Sequence, residues 1–281
     1  MSLTPYEKKR WQYIQSWEQR LGEYEPTDIE RSFEKWLFSS FQQLPDELRN
    51  STFAQMDNWL FHLHAYIQGS QWQHEAQERI LSTARAIQSD ITELEDLQSL
   101  SLEQLVVLAD HNIAKHRLYS FIQGGLTGTG GVLLLGVDIP LMIALNLRAV
   151  QLVAMTYGHN VNTPFEMMTS LKVFHAAALP KRLKYEGWQN LRQGLETSTQ
   201  RFFYEGTDEL TNETWLEQPL KQLVKMIVVY SLRRKLIQGI PVIGMGIGAT
   251  LNYQLTRKVT EYAHTYYQYR YIYDKKGINN E

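Results

Sequence analysis

Apolar residues recur three to four positions apart along most of this chain, which is the spacing of one face of an α-helix. Trp11, Ile14 and Trp17 mark a helix over residues 6–22. Thr27 and Asp28 are suited to cap a second helix carrying Phe33, Trp36, Leu37 and Phe41. Leu44-Pro45 interrupts it, because a residue before proline avoids helical geometry. A third helix is predicted from Asp46 through Trp59 and Leu63 towards Gly69. Residues 71–89 are polar, with Ile80 and Ala84 on one face, and residues 90–103 are acidic, with Leu94, Leu97 and Leu100 spaced by three. Ser101 followed by Gln104 reads as a capping box for a helix over 105–122.

Further along, Asp138-Ile-Pro140 reads as a helix start, since Asp138 accepts free amide hydrogens and Pro140 suits a first turn. That helix is predicted to run over 141–157 and stop at Gly158, which tolerates the left-handed conformation common after a helix. Thr163-Pro-Phe-Glu166 predicts another capping box, for a helix towards Ala178 ended by Pro180. Residues 187–213 are mixed and polar, a helix and a loop; 215–236 read as a helix, basic on one side; 251–273 read as an amphipathic helix rich in tyrosine. No alternation of strand period and no Asn-Gly hairpin occurs, so the fold class is all-α: a multi-helix bundle.

Glycine breaks the helical pattern twice. The stretches 124–136 and 239–248 hold ten of the 17 glycines, and each opens on Ile-Gln-Gly. Glycine weakens helices and is unusual in apolar runs unless backbones approach closely. Gly124/Gly128 and Gly244/Gly248 are both Gly-x-x-x-Gly pairs, which on a helix leave a groove for another helix. Arg233, Arg234 and Lys235 precede the second stretch, Arg257 and Lys258 follow it, and Lys115 and Arg117 precede the first. Such flanks suit a hairpin dipping into a membrane from its cytoplasmic side. Apolar runs of ~10–16 residues fit an interfacial or re-entrant segment better than a span. Tight packing inside a soluble bundle explains the same glycines.

Charge sharpens this picture. Residues 1–110 carry nine Lys/Arg against 18 Asp/Glu, a balance of −9, and residues 111–281 carry 19 against 12, a balance of +7, for the net −2 of the chain. An acidic N-terminal helical subdomain over 1–100 and a basic, glycine-rich helical core over 101–281 are compatible with this division, as is a single domain over 1–281. The basic half suits an anionic membrane surface or an acidic partner; two oppositely charged faces that attract one another are the alternative. The first residues form no apolar signal segment, and no uninterrupted apolar run reaches the ~18–20 residues of a membrane span, so the expected location is cytoplasmic or peripheral at the inner face of the cell membrane.

Chemistry is sparse. The chain has no cysteine, which excludes disulfides, Fe–S clusters and thiol catalysis. No Gly-x-x-x-x-Gly-Lys-Ser/Thr occurs, and Gly244, Gly246 and Ala249 meet only a loose dinucleotide pattern. His74 and Glu78 share a helix face without an evident third metal ligand. No metal, cofactor or catalytic residue is therefore assigned. Asn146 and Arg148 lie in an otherwise apolar helix downstream of Asp138, and these three form a candidate buried polar site, in which Arg148 either pairs structurally or binds a small ligand. Tyr262, Tyr266, Tyr267, Tyr269, Tyr271 and Tyr273, with Arg270, Lys275 and Lys276, suit core packing, a lipid interface or stacking on nucleic acid; the pI near 6.5 disfavours the last.

The order of a glycine-rich stretch, Asp138-Ile-Pro140, Leu147-Arg148 and Tyr157-Gly158 resembles the EcsC protein family. So do 239–248 followed by Asn252, and the opening Leu3-Thr4-Pro5-Tyr6-Glu7. The namesake of that bacterial family is encoded beside the ATPase and membrane subunits of an ABC transporter. The resemblance therefore implies work near the membrane with ABC transporter subunits as partners, and it carries over no catalytic residue. The expectation is a non-enzymatic, peripherally membrane-associated accessory protein. Gly124, Gly128, Arg233, Arg234, Lys235, Gly244 and Gly248 are its candidate contacts. A soluble scaffold without membrane contact, and a small-ligand binder using a polar cavity near Arg148, are the alternatives. Oligomeric state is not legible.

Overall fold

A computed structural model describes residues 2–28, 31–32, 71–127, 135–197 and 244–277, with the side chains of 119–127, 135–141, 196–197 and 244–252 outside that description. Among the described residues the chain forms seven α-helices and two short 3-10 turns, with no strand, as the hydrophobic spacing predicts. The helices are α1 (Pro5–Gly22), α2 (Gln71–Arg85), α3 (Leu102–Thr127), α4 (Leu135–Thr156), α5 (Pro164–Ala178), α6 (Lys184–Thr197) and α7 (Gly244–Gly277). The 3-10 turns cover Glu95–Ser99 and Lys181–Leu183.

α7 is the axis. At 34 residues it is ~50 Å long, and α1, α3, α4 and α5 all pack on it. Its tyrosines are interior: Tyr262, Tyr266, Tyr267 and Tyr269 are each at most 2 % exposed. Trp188 of α6, fully buried, meets Tyr262, Tyr266 and Tyr269 edge to face, and Trp11 of α1 stacks on Tyr269 at 5.5 Å. Of the three readings of the tyrosine run, core packing is therefore the one these four residues follow. Arg270, grouped with them as a base, is buried. Ile80, Ile91, Leu97, Leu105, Leu147, Phe174 and Ile272 join one continuous apolar core.

Several local signals are realised as atoms. Ser101 and Gln104 form the reciprocal capping box at the start of α3. Gly158 has φ +79, and the amides of Gly158 and His159 donate to Met155 and Ala154 carbonyls, closing the C-terminus of α4. A Cβ there would stand 2.7 Å from Gln98 Cγ and 3.0 Å from the Leu94 carbonyl, so both conformation and space demand glycine. Of the leucines spaced by three, Leu94 and Leu100 flank a 3-10 turn and Leu97 lies within it, and the period of such a turn is three. The Arg31 amide donates to the Thr27 carbonyl, a first helical turn after the expected cap; the rest of that helix, and those expected over 46–69 and 215–236, lie outside the described residues.

Four boundaries differ from expectation. α3 continues to Thr127, carrying Gly124 and Gly125 within it. α4 starts at Leu135, three residues before Asp138, so Asp138 and Pro140 lie inside the helix. α6 begins at Lys184 rather than 187, and α7 begins at Gly244 rather than 251, so the end of the second glycine stretch forms its first turns. In each case the helix includes residues of poor propensity, which is only a weak local preference.

α3 and α7 are antiparallel. Contacts step from Tyr271 with Leu100, through His264 with Asp110, to Arg117 with Thr260 and Arg257. α3 and α4 are antiparallel too, pairing Asn112 with Thr156 and His116 with Leu145. The end of α3, the start of α4 and the start of α7 therefore lie at one end of the bundle.

Candidate functional site

At the opposite end, helix starts are tied to the last turns of α7. Thr4 and Glu7 form a capping box on α1, and the second carboxylate oxygen of Glu7 accepts a hydrogen bond of 2.7 Å from Lys275. Burial works against the Glu7 charge, but the Lys275 ammonium and the Thr4 amide and hydroxyl outweigh it and hold this carboxyl below its ordinary value. Glu166 occupies the same third position in α5. Its amide donates to Thr163, as the capping sequence predicts. Its carboxylate instead accepts two hydrogen bonds from Arg270, at 2.6 and 2.8 Å, with both partners buried. The expected capping box is thus half made, because a buried guanidinium is a stronger donor than an exposed amide. Burial disfavours the Arg270 charge, yet Glu166 more than compensates and raises its pKa.

A concavity of about 340 Å³ lies over this pair, lined among others by Gln98, His159, Asn160 and Asp274. His159 Nδ1 stands 3.7 Å from Glu166. Both terminal nitrogens of Arg270 are committed to Glu166, so the arrangement chiefly locks α5 onto α7.

Two residues of the candidate polar site on α4, Asn146 and Arg148, have described side chains. Asn146 is buried and donates to the Met142 carbonyl one turn back at 2.7 Å. The Arg148 guanidinium lies 4.8 Å over the Trp72 ring of α2. Asp138 sits ten residues upstream of Arg148 on the same helix, its side chain outside the described residues. Neither this concavity nor the groove described below is lined by Arg148. His74 is exposed, and no group of three metal-ligating side chains exists among the described residues.

The glycine-bearing end is different in kind. Gly124 lies in the last turn of α3 and Gly244 and Gly248 in the first turns of α7; Gly128, Arg233, Arg234 and Lys235 are outside the described residues. Beyond the Arg117–Arg257 contact, α3 runs ~10 Å further to Gly124 and α7 ~14 Å back to Gly248, side by side by their register. Beside this pair is an open groove of about 470 Å³, lined by Ala114, Arg117, Leu118 and Tyr253. Among the described residues no helix is long and apolar enough to cross a membrane.

The EcsC protein family matches residues 8–272, nearly the whole chain and all or most of every helix described above. The chain belongs to the EcsC protein family. Two relatives from Bacillus subtilis (strain 168) are similar to it. The uncharacterized protein YdbA is 25 % identical over 253 residues, 85 % of this chain and 87 % of its own length. Protein EcsC is 23 % identical over 203 residues, 72 % of this chain and 79 % of its own. No solved structure matches the chain. The matched span thus includes the glycine stretches and, at the ion-paired end, Glu166 and Arg270, while Glu7 and Lys275 lie just outside it.

Reasoning from sequence named Glu166 as a capping residue and Lys275 as a base but missed their ion-pair roles, as it missed the role of Glu7 and the Leu118 groove. The two Thr-x-x-Glu capping sequences at 4–7 and 163–166, with cations at 270 and 275, were the available signal for the first three.

Proposed function

We propose that this chain is a non-enzymatic helical accessory protein that rests peripherally on the inner face of the cell membrane and serves an ABC-type transport system. The observation that carries the membrane part is the grouping of three glycine-flanked apolar helix ends, those of α3, α4 and α7, at one end of the bundle. The excess of basic over acidic residues beyond position 110 supports an anionic surface. The transporter partner rests on family membership.

The test is sedimentation of the purified full chain with vesicles, phosphatidylcholine alone against equal parts phosphatidylcholine and phosphatidylglycerol, at low and high salt. The expected result is binding to the anionic vesicles. Gly244→Ile with Gly248→Ile is expected to release the protein while circular dichroism remains helical. A folded double variant that stays bound rejects the glycine end as the contact. A wild-type chain that binds neither vesicle leaves the soluble scaffold as the better reading.

A further inference from the structure

We infer that the outer α3–α7 face around Leu118 is a docking surface for anionic lipid, a more specific claim that rests on the peripheral membrane reading. Val107, His111, Ala114 and Leu118 recur every three to four residues on α3 and all face outward. Val107 is 64 % and Leu118 60 % exposed, the two most exposed large apolar side chains among the described residues. Among the described residues the packing of the bundle does not call for them there, since the opposite side of α3 already fills the core with Leu105, Leu108, Ala109 and Ile113. Leu118 is the member of this stripe nearest the glycine end.

Across the groove from Leu118, Tyr253 of α7 presents a half-buried ring, a side chain suited to the boundary between headgroup and acyl chain. The rim is basic. Lys115 is exposed, Arg117 lines the groove, and Arg257 is exposed one turn along α7. Glu261 is the acid closest to them, and both arginines share it, Arg257 at 2.8 Å and Arg117 at 3.8 Å. Asp110, exposed on the same helix, also acts on Arg117, and three cations against two carboxylates leave the groove with a net positive charge. An apolar floor with a positive rim, opening towards the glycine end, complements acyl chains beneath negative headgroups.

The experiment compares full-chain variants on the same two kinds of vesicle. Leu118→Asp is expected to weaken anionic-vesicle binding at least ~10-fold, because an inserted leucine is lost. Lys115→Glu with Arg257→Glu is expected to weaken it by ~30-fold or more, at about a kcal/mol per basic group. Ile87→Asp, a change of the same chemistry at an exposed position after α2, is expected to bind like wild type. All four positions face solvent, so thermal melts should match wild type, and a melt that does match makes each binding result readable. Wild-type binding that both the Leu118 and the charge variants retain in full overturns this surface while leaving the peripheral reading intact. Absence of wild-type binding overturns both.

Discussion

The two ends of this bundle are built from opposite materials. At one end, buried or half-buried charges tie the starts of α1 and α5 to the last turns of α7, through Glu7–Lys275 and Glu166–Arg270. At the other, the same α7 begins on Gly244, beside the glycine-bearing end of α3 and an open groove with an exposed leucine. Buried ion pairs fix geometry, since losing one partner strands a charge. Glycine-bearing helix ends fix little and leave backbone close to whatever covers them. One end ties the helices together; the other is the end that the proposed function sets against the membrane.

The largest expected effect is at the ionic end. Arg270→Ala leaves Glu166 buried without its partner and should cost about 3–5 kcal/mol, read as a large drop in thermal midpoint. Replacing both by Met should cost much less; equal losses in the single and double variants would mean the pair itself is not what holds α5. Next comes Gly158→Ala, which forces a side chain into φ +79 and against Gln98 and the Leu94 carbonyl, for about 2 kcal/mol. A neutral outcome in a denaturant titration would show that the α4 stop can relax.

Acid should act through buried groups. Burial, reinforced by the Arg10 and Arg117 charges, lowers the His264 pKa to about 3, so its 3.5 Å approach to Asp110 is not an ion pair at neutral pH. His116 and His175 are lowered by burial as well. A histidine depressed in the folded state contributes stability that is full above its unfolded value, near 6.5, and is lost as pH falls towards the folded value. Stability should therefore decline from pH 6.5 downwards, by at most ~1.4 kcal/mol per pH unit per histidine. Glu7, lowered as well, adds a further loss below about pH 4.5. His264→Asn should flatten the upper part of that profile; an unchanged slope would remove His264 as a source. The smallest effect is expected at the glycine end, where Leu118→Asp should shift stability by no more than about 0.5 kcal/mol. A large loss there would mean that Leu118 is part of the core after all.

Much of the fold was readable locally. Ser101 with Gln104, Gly158 and Pro180 each state a helix boundary through the backbone groups they satisfy or deny, and the structure follows them. The boundaries of α4 and α7 were not readable, because the helices run through Pro140 and through Gly244, Gly246 and Gly248 against local propensity. The ion pairs were hidden for another reason. Glu7 and Lys275 are 268 residues apart, Glu166 and Arg270 104, and helical periodicity carries no information about such partners. The exposed stripe on α3 escaped as well. Its apolar residues run all round the helix, so spacing alone does not say which face the bundle leaves open.

Because the chain contains no cysteine, a single introduced thiol reports from one known place. The most direct measurement attaches an environment-sensitive fluorophore to Leu118→Cys and, separately, to Ile87→Cys, and adds neutral or anionic vesicles. The account predicts a blue shift from position 118 with anionic vesicles alone and none from position 87. Equal responses at the two positions, or a response at 87 only, would contradict the assignment of the glycine-bearing end as the one that meets the membrane.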